Sequence, residues 1–229
     1  MRVAELWRYP VKSFLGEQVE SAAVDDRGLV GDRAFAVVDG NGRLGSGKTT
    51  RRFRMLRDLF AYSARTEGGV TVVRSPLGGR RAAGDPRLDA ELSERYGRPL
   101  RVLPEAGVSH FDAGAVHLLT TASLRWLAAL LDADAADPRR FRPNVLIDAE
   151  GSTLLEDEWL DRTVRIGDVV LRVRRQTVRC GMPHFRQAEL GRRPDILRRL
   201  VEENGQCLGV YADVVRRGIL RAGDPVSLA

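Results

Sequence analysis

Short apolar runs of four to seven residues, each closed by a Gly, Asp or Asn turn, recur along the chain and set its fold class. Val3–Tyr9, Val19–Val24, Ala34–Val38 and Val70–Arg74 read as strands of this kind. Asp39-Gly40-Asn41-Gly42 is the sharpest turn, because Asn-Gly readily takes the positive φ that a tight hairpin needs. A helix is expected from about Pro86 to Tyr96, with Asp85 as N-cap and Gly97 as its stop. Beyond Pro104 a loop, Glu105–Gly114, leads to a second β-rich half. There Val116–Leu119 is a strand, and Thr120 and Thr121 are placed to cap a helix whose Leu124, Leu127, Ala128 and Leu131 share one face. Val145–Ile147, Val164–Arg174 and Leu208–Val215 read as strands, and Pro194–Glu203 as a helix ending at Gly205. Arg165-Ile166-Gly167-Asp168-Val169 and Arg221-Ala222-Gly223-Asp224-Pro225-Val226 echo one another as Gly-Asp corners that start strands. The expected fold is α+β, mainly β with helices. A smaller β-rich domain over residues 1–105 precedes a β-barrel domain over residues 106–229.

Composition narrows the function classes. At 43% hydrophobic and 30% charged, the 229 residues are too apolar for disorder. No run of about 18 apolar residues offers a membrane span, and the N-terminus lacks a signal-peptide layout. Two cysteines, Cys180 and Cys207, make no disulfide framework, so a cytoplasmic protein with reduced thiols is expected. Of 37 Lys plus Arg, 35 are Arg and only Lys12 and Lys48 are lysine. They are spread among 31 acids, so the net charge of +6 points to a small anionic partner and away from nucleic acid.

Cys180 follows Arg179 at the end of the alternating run Val169–Val178. A guanidinium beside a thiol favours the thiolate, the form that attacks electrophiles or binds metals; a small buried hydrophobe is the other reading. Gly42-Arg43-Leu44-Gly45-Ser46-Gly47-Lys48-Thr49 matches the phosphate-binding P-loop pattern in full. Its context argues against nucleotide hydrolysis, because it begins inside a hairpin turn and the following Thr50–Arg54 has no apolar helix face. The loop can still cover an anionic ligand with Lys48, Arg51 and Arg52. Cys180 and His184 lack the further ligands of a zinc site. His117 reads as a satisfied core histidine, and His110 and Asp112 as orienting their loop or joining in catalysis.

Several separated segments together resemble one family. They are Tyr9-Pro10-Val11-Lys12-Ser13, Gly28–Arg33, Val116–Leu124, Arg139–Asn144, Arg179-Cys180 and Gly223-Asp224-Pro225-Val226. In this order they resemble a MOSC-domain protein with its N-terminal β-barrel domain, closest to the amidoxime-reducing type. The resemblance implies a molybdopterin-type molybdenum cofactor with Cys180 as ligand to the metal. It implies cofactor contacts from Lys12, Ser13 and Arg33 in the first domain and from Thr120, Thr121, Arg142, Asn144 and Arg179 in the second. The implied activity is reduction of N-hydroxylated or N-oxide small molecules, with electrons from a separate flavin or iron–sulfur protein. The alternative is a non-catalytic carrier that presents cofactor or sulfur on Cys180. Gly181-Met182-Pro183-His184-Phe185 departs from the hydroxyl-rich pattern of relatives, with Lys48, Arg51 and His184 as weaker candidates for substrate gating.

Overall fold

A computed structural model of the chain describes residues 1–228. The first half comprises β1 (Arg2–Arg8), β2 (Glu17–Val19), β3 (Ser21–Asp25), β4 (Gly28–Leu29), β5 (Phe35–Asp39), β6 (Leu44–Ser46) and β7 (Phe53–Met55). It continues with β8 (Ser63–Glu67), β9 (Val70–Arg74), β10 (Arg80–Ala82), helix α1 (Pro86–Tyr96) and β11 (Leu100–Pro104). The second half holds β12 (Val116–Thr120), α2 (Thr121–Leu130), α3 (Pro138–Phe141), β13 (Val145–Asp148), β14 (Thr163–Ile166) and β15 (Val169–Val178). It ends with α4 (Asp195–Asn204), β16 (Cys207–Arg216), β17 (Gly218–Arg221) and β18 (Val226–Leu228). No helix is long and apolar enough to cross a membrane among the described residues.

Eight strands form one sheet in the order β18-β14-β15-β16-β12-β13-β1-β2, so the first strands of the chain complete the sheet of the second half. β17 likewise leaves the second half to pair with β3. The expected barrel is not a closed ladder. Its open side is stitched where Val3 N donates to Asp224 O at 2.9 Å and Val226 N to Met1 O at 3.0 Å. The two echoing corners meet at this seam: Gly167 N donates to Pro225 O, and a Cβ on Gly167 would stand 2.9 Å from the Asp224 carboxylate. The core of this sheet gathers Val3, Leu6, Val116, Leu118, Trp159, Leu171 and Val210. A second core, around Phe14, Val37, Leu59, Tyr62, Leu88 and Val102, closes the first half.

Two expected strands are each broken in two. Val19–Val24 changes sheet at Glu20, and Val164–Arg174 turns back at Gly167-Asp168, with Gly167 at φ 53°. The Asp39–Gly42 hairpin puts only Gly42 at positive φ (75°), while the Asp39 carboxylate accepts from Asn41 N and Arg43 N. β6 then pairs antiparallel with β5 and parallel with β7. The loop carrying Lys48 therefore joins two strands and starts no helix.

Only one of the two threonines caps α2. Thr120 Oγ1 accepts from Ser123 N at 3.1 Å, whereas Thr121 is already helical and binds Ala149 O at 3.1 Å. Beneath this cap Glu156 is fully buried, its Oε2 accepting from Thr120 and Ser123 hydroxyls at 2.6 Å each. Burial raises its carboxyl from 4.5 to about 7, against the lowering effect of the two hydroxyls. The folded state therefore keeps this proton longer than the unfolded chain. The stabilisation is full below the unfolded value and is lost as pH rises through about 7. Glu156→Gln, which keeps the shape without the charge, is expected to gain stability relative to native with rising pH. The gain should approach about 3 kcal/mol near pH 8. Thermal melts from about pH 5 to about pH 8 check this, and a native–variant difference independent of pH contradicts it.

Candidate functional site

Where the halves meet, a cavity of about 520 Å³ opens. Lys12, Ser13 and Arg33 come from the turns around β1 and β5, and Ser46 and Lys48 from β6 and its loop. Arg142 enters from the end of α3, and Arg175–Met182 line it along β15 and beyond. Six basic side chains, Lys12, Arg33, Lys48, Arg142, Arg175 and Arg179, face one acid, Asp112. Backbone strain gathers here. Ser13 (φ 66°), Arg33 (φ 48°), Arg142 (φ 57°) and Gln206 (φ 72°) hold left-handed conformations that cost free energy in non-glycine residues.

The guanidinium groups are fixed from behind. Arg33 and Arg142 lie over the Tyr9 ring at 4.6 and 4.1 Å, and Tyr9 OH donates to Pro143 O at 3.1 Å. Arg33 is paired with the fully buried Asp32, whose other oxygen accepts from Tyr9 N. Arg142 has no such partner among the described residues; its Nη1 donates to Phe14 O at 2.6 Å. Burial, reinforced by Arg33, pulls its pKa down to about 10. Among the described residues Arg179 is also buried without a carboxylate partner, with Nη2 on Phe141 O at 2.8 Å and Nε without a partner. Two buried guanidinium groups with no direct salt bridge among the described residues stand around one space, an arrangement that an anionic ligand relieves.

Cys180 lies half-buried on the same wall. It is placed by the end of β15, where the register shifts between Gln176 and Val178 and Arg179 exchanges hydrogen bonds with Gln206 (2.9 and 2.6 Å). Met182–His184 then form a short 3₁₀ turn that packs on the glycine-rich loop. A Cβ on Gly47 would fall 2.4 Å from Met182 Sδ, so a glycine lets this loop close over the segment after the cysteine. Among the described residues no three His, Cys, Asp or Glu side chains converge on a point. A metal at Cys180 would thus arrive with other ligands of its own.

Of the residues expected from sequence, the cavity brings together Lys12, Ser13, Arg33, Arg142, Arg179 and Cys180. Asn144 stands behind the wall, its Oδ1 accepting from His117 N (3.1 Å) and Arg33 (3.3 Å) and its Nδ2 donating to Trp7 O (3.2 Å). Thr120 and Thr121 are not on the wall, because the α2 cap points to Glu156 and Ala149. Lys48 lines the cavity and Arg51 does not. His184 lies beside the site without lining it. His117 lines it, its Nδ1 meeting Arg142 O at 3.2 Å while Nε2 makes no hydrogen bond of normal geometry among the described residues. Burial keeps that imidazole neutral. Sequence reasoning missed Arg175, Gln206 and Tyr211 as cavity residues. The positive φ of Gln206 follows from the Gly205-Gln206 turn, a signal that is readable only once the helix end is known.

Comparison with known proteins gives the class. The MOSC N-terminal beta barrel domain matches residues 1–97 and the MOSC domain matches residues 93–227. The chain belongs to the MOSC-domain family, whose domain is associated with molybdenum cofactor binding. Among solved structures, the YuaD protein from Bacillus subtilis shares the fold at 14% identity and a TM-score of 0.55, covering 99% of this chain and 94% of that one. YiiM from Escherichia coli aligns at 14% identity and a TM-score of 0.47, covering 100% of this chain and 70% of that one. No curated protein matches the chain in sequence.

The uncompensated Arg142 yields a test. Arg142→Met is expected to keep the ligand-free melting temperature at or above native, because an unpaired buried charge is removed. The same change should abolish the rise in melting temperature that millimolar phosphate gives the native protein. A clearly lower ligand-free value with the phosphate effect retained contradicts this assignment.

Proposed function

We propose that the protein binds the molybdenum cofactor in this cavity and reduces N-hydroxylated or N-oxide compounds with electrons from a separate flavin or iron–sulfur protein. The observation that carries the reading is a half-buried thiol on a wall whose other charged groups are nearly all cations. The residues fit the group. Thiolate is a soft ligand suited to a metal already held by sulfur. The unpaired Arg142 and the orphaned Nε of Arg179 offer fork donors to a phosphate.

In this reading Cys180 holds the metal, and Lys12, Ser13, Arg33, Arg142 and Arg179 hold the anionic part of the cofactor. Asn144 acts through Arg33 and His117, keeping both in place. Thr120 is committed to the α2 cap and Thr121 to Ala149 O, so neither is given a ligand contact in this reading. When bound, the cofactor supplies a two-electron centre that no side chain of this chain provides. Cleavage of an N–OH bond to N–H and water consumes two electrons and two protons. Lys48 lines the cavity with its side chain about a third exposed, which suits a role in admitting substrate. Phe141, Met182 and Leu197 line the cavity with apolar surface and reduce the water around the reacting atoms.

Protein expressed in a cofactor-competent host is expected to carry molybdenum by elemental analysis, and Cys180→Ala to lose activity by orders of magnitude. Given a chemical reductant, the native holo-protein should convert a hydroxylated amidine to the amidine. Bound molybdenum with no reduction of any N–O substrate overturns the enzyme reading in favour of a carrier. Absence of molybdenum overturns both.

A further inference from the structure

The chain keeps lysine at only two positions, and the fold brings both to one carboxylate. Lys12 Nζ lies 3.1 Å and Lys48 Nζ 3.7 Å from Asp112 Oδ1. Both ammonium groups also sit over the Phe53 ring, at 4.9 and 4.7 Å. Three separate segments supply them: the turn after β1, the loop between β6 and β7, and the connector between the halves. Among the described residues Asp112 is the single acid on the cavity wall.

The connector does not need this carboxylate as an anchor. Arg27 grips Glu105 through two bonds of 2.7 Å and lies over the Phe111 ring at 4.4 Å. Arg52 donates to Phe111 O at 2.8 Å, and Lys12 to His110 O at 2.8 Å. Asp112 is therefore placed as a charge on a loop already held. Its side chain is about a third exposed, so it can turn to water while the backbone stays fixed.

We infer that Asp112 is a built-in counter-ion, occupying the lysine pair until an anionic group of the ligand replaces it and so setting how tightly the cavity holds anions. The inference rests on the anionic-ligand reading above. The choice of lysine fits an exchange of partners. An ammonium is a compact point charge with three donors that can rotate from one acceptor to another, whereas a guanidinium fork is committed to one planar partner. In the empty cavity the carboxylate offsets the burial of Lys12 and the mutual repulsion of two cations. Burial alone would raise the Asp112 carboxyl, but Lys12 and Lys48 outweigh it and hold it at about 2. When an anion arrives, the same carboxylate competes with it. Removing the charge should act in opposite directions on the empty and the filled protein.

The test is Asp112→Asn in the full chain, with thermal melts and calorimetric titration of inorganic phosphate at neutral pH and fixed low ionic strength. The variant is expected to melt below native without phosphate yet to bind phosphate about tenfold more tightly. Asp26→Asn, an exposed site paired with Arg217, changes net charge equally and is expected to leave phosphate affinity near native. An unchanged or weaker affinity in Asp112→Asn overturns the counter-ion role, as does an equal gain in Asp26→Asn. If native protein binds no phosphate, the anionic reading of the cavity falls, and this inference with it. Should the Asn variant not fold, carbon NMR of aspartate-labelled native protein decides. The Asp112 carboxyl resonance is expected to move as phosphate is added, and a fixed resonance overturns the role.

Discussion

Arg142 is a guanidinium buried against Tyr9, Phe14 and Phe60 with no salt-bridging carboxylate among the described residues, and both halves of the molecule are arranged around that charge. It reaches its place through a left-handed residue at the end of α3, a conformation that costs free energy and is kept only where the surroundings enforce it. Its carbonyl fixes His117, and its side chain ties β12's neighbourhood to the turn after β1. Arg33, Arg179 and the lysine pair add positive charge around the same space. A fold built for stability alone would have filled this position with an apolar side chain. The charge makes physical sense as half of an interaction whose other half is a ligand.

Strand exchange between the halves makes this geometry rigid. β1 and β2 belong to the eight-stranded sheet, and β17 pairs with β3, so the N-terminal segment cannot move independently of the wall that carries Cys180. Lys12 and Ser13 lie in the turn after β1 and Arg33 in the turn after β4, which pairs with β3 beside β17, so all three inherit that rigidity. The glycine-rich loop serves the same end. Its likeness to a phosphate-binding loop comes from small residues and one lysine, but its glycine at position 47 is needed for close approach to Met182.

Legibility followed the range of the interactions. Helix α1 was readable to the residue, because Asp85, Pro86 and Gly97 act on neighbours a few positions away. Thr120 was readable as a cap for the same reason. β6 was implied only as the antiparallel partner of the Asp39–Gly42 hairpin, and β7 was not expected, since a strand of three residues shows no alternation and owes its existence to pairing with β6. At the site, the Arg179-Cys180 pair and the lysines stood out by type. Their convergence did not, since Lys12 and Asp112 are 100 positions apart and meet only through tertiary packing. The cap of α2 illustrates the converse. A local pattern located the helix N-terminus, but only the packed structure reveals that Glu156 sits under it and that it faces away from the cavity.

The central claim is that Cys180 and the surrounding cations hold one ligand, with the thiolate on its metal. Molybdenum-edge X-ray absorption of the holo-protein tests this most directly, comparing native protein with Cys180→Ser loaded in the same host. The account predicts that native protein has one more sulfur in the metal's coordination shell than the variant. Equal sulfur counts in the two proteins, with molybdenum bound in both, would contradict it.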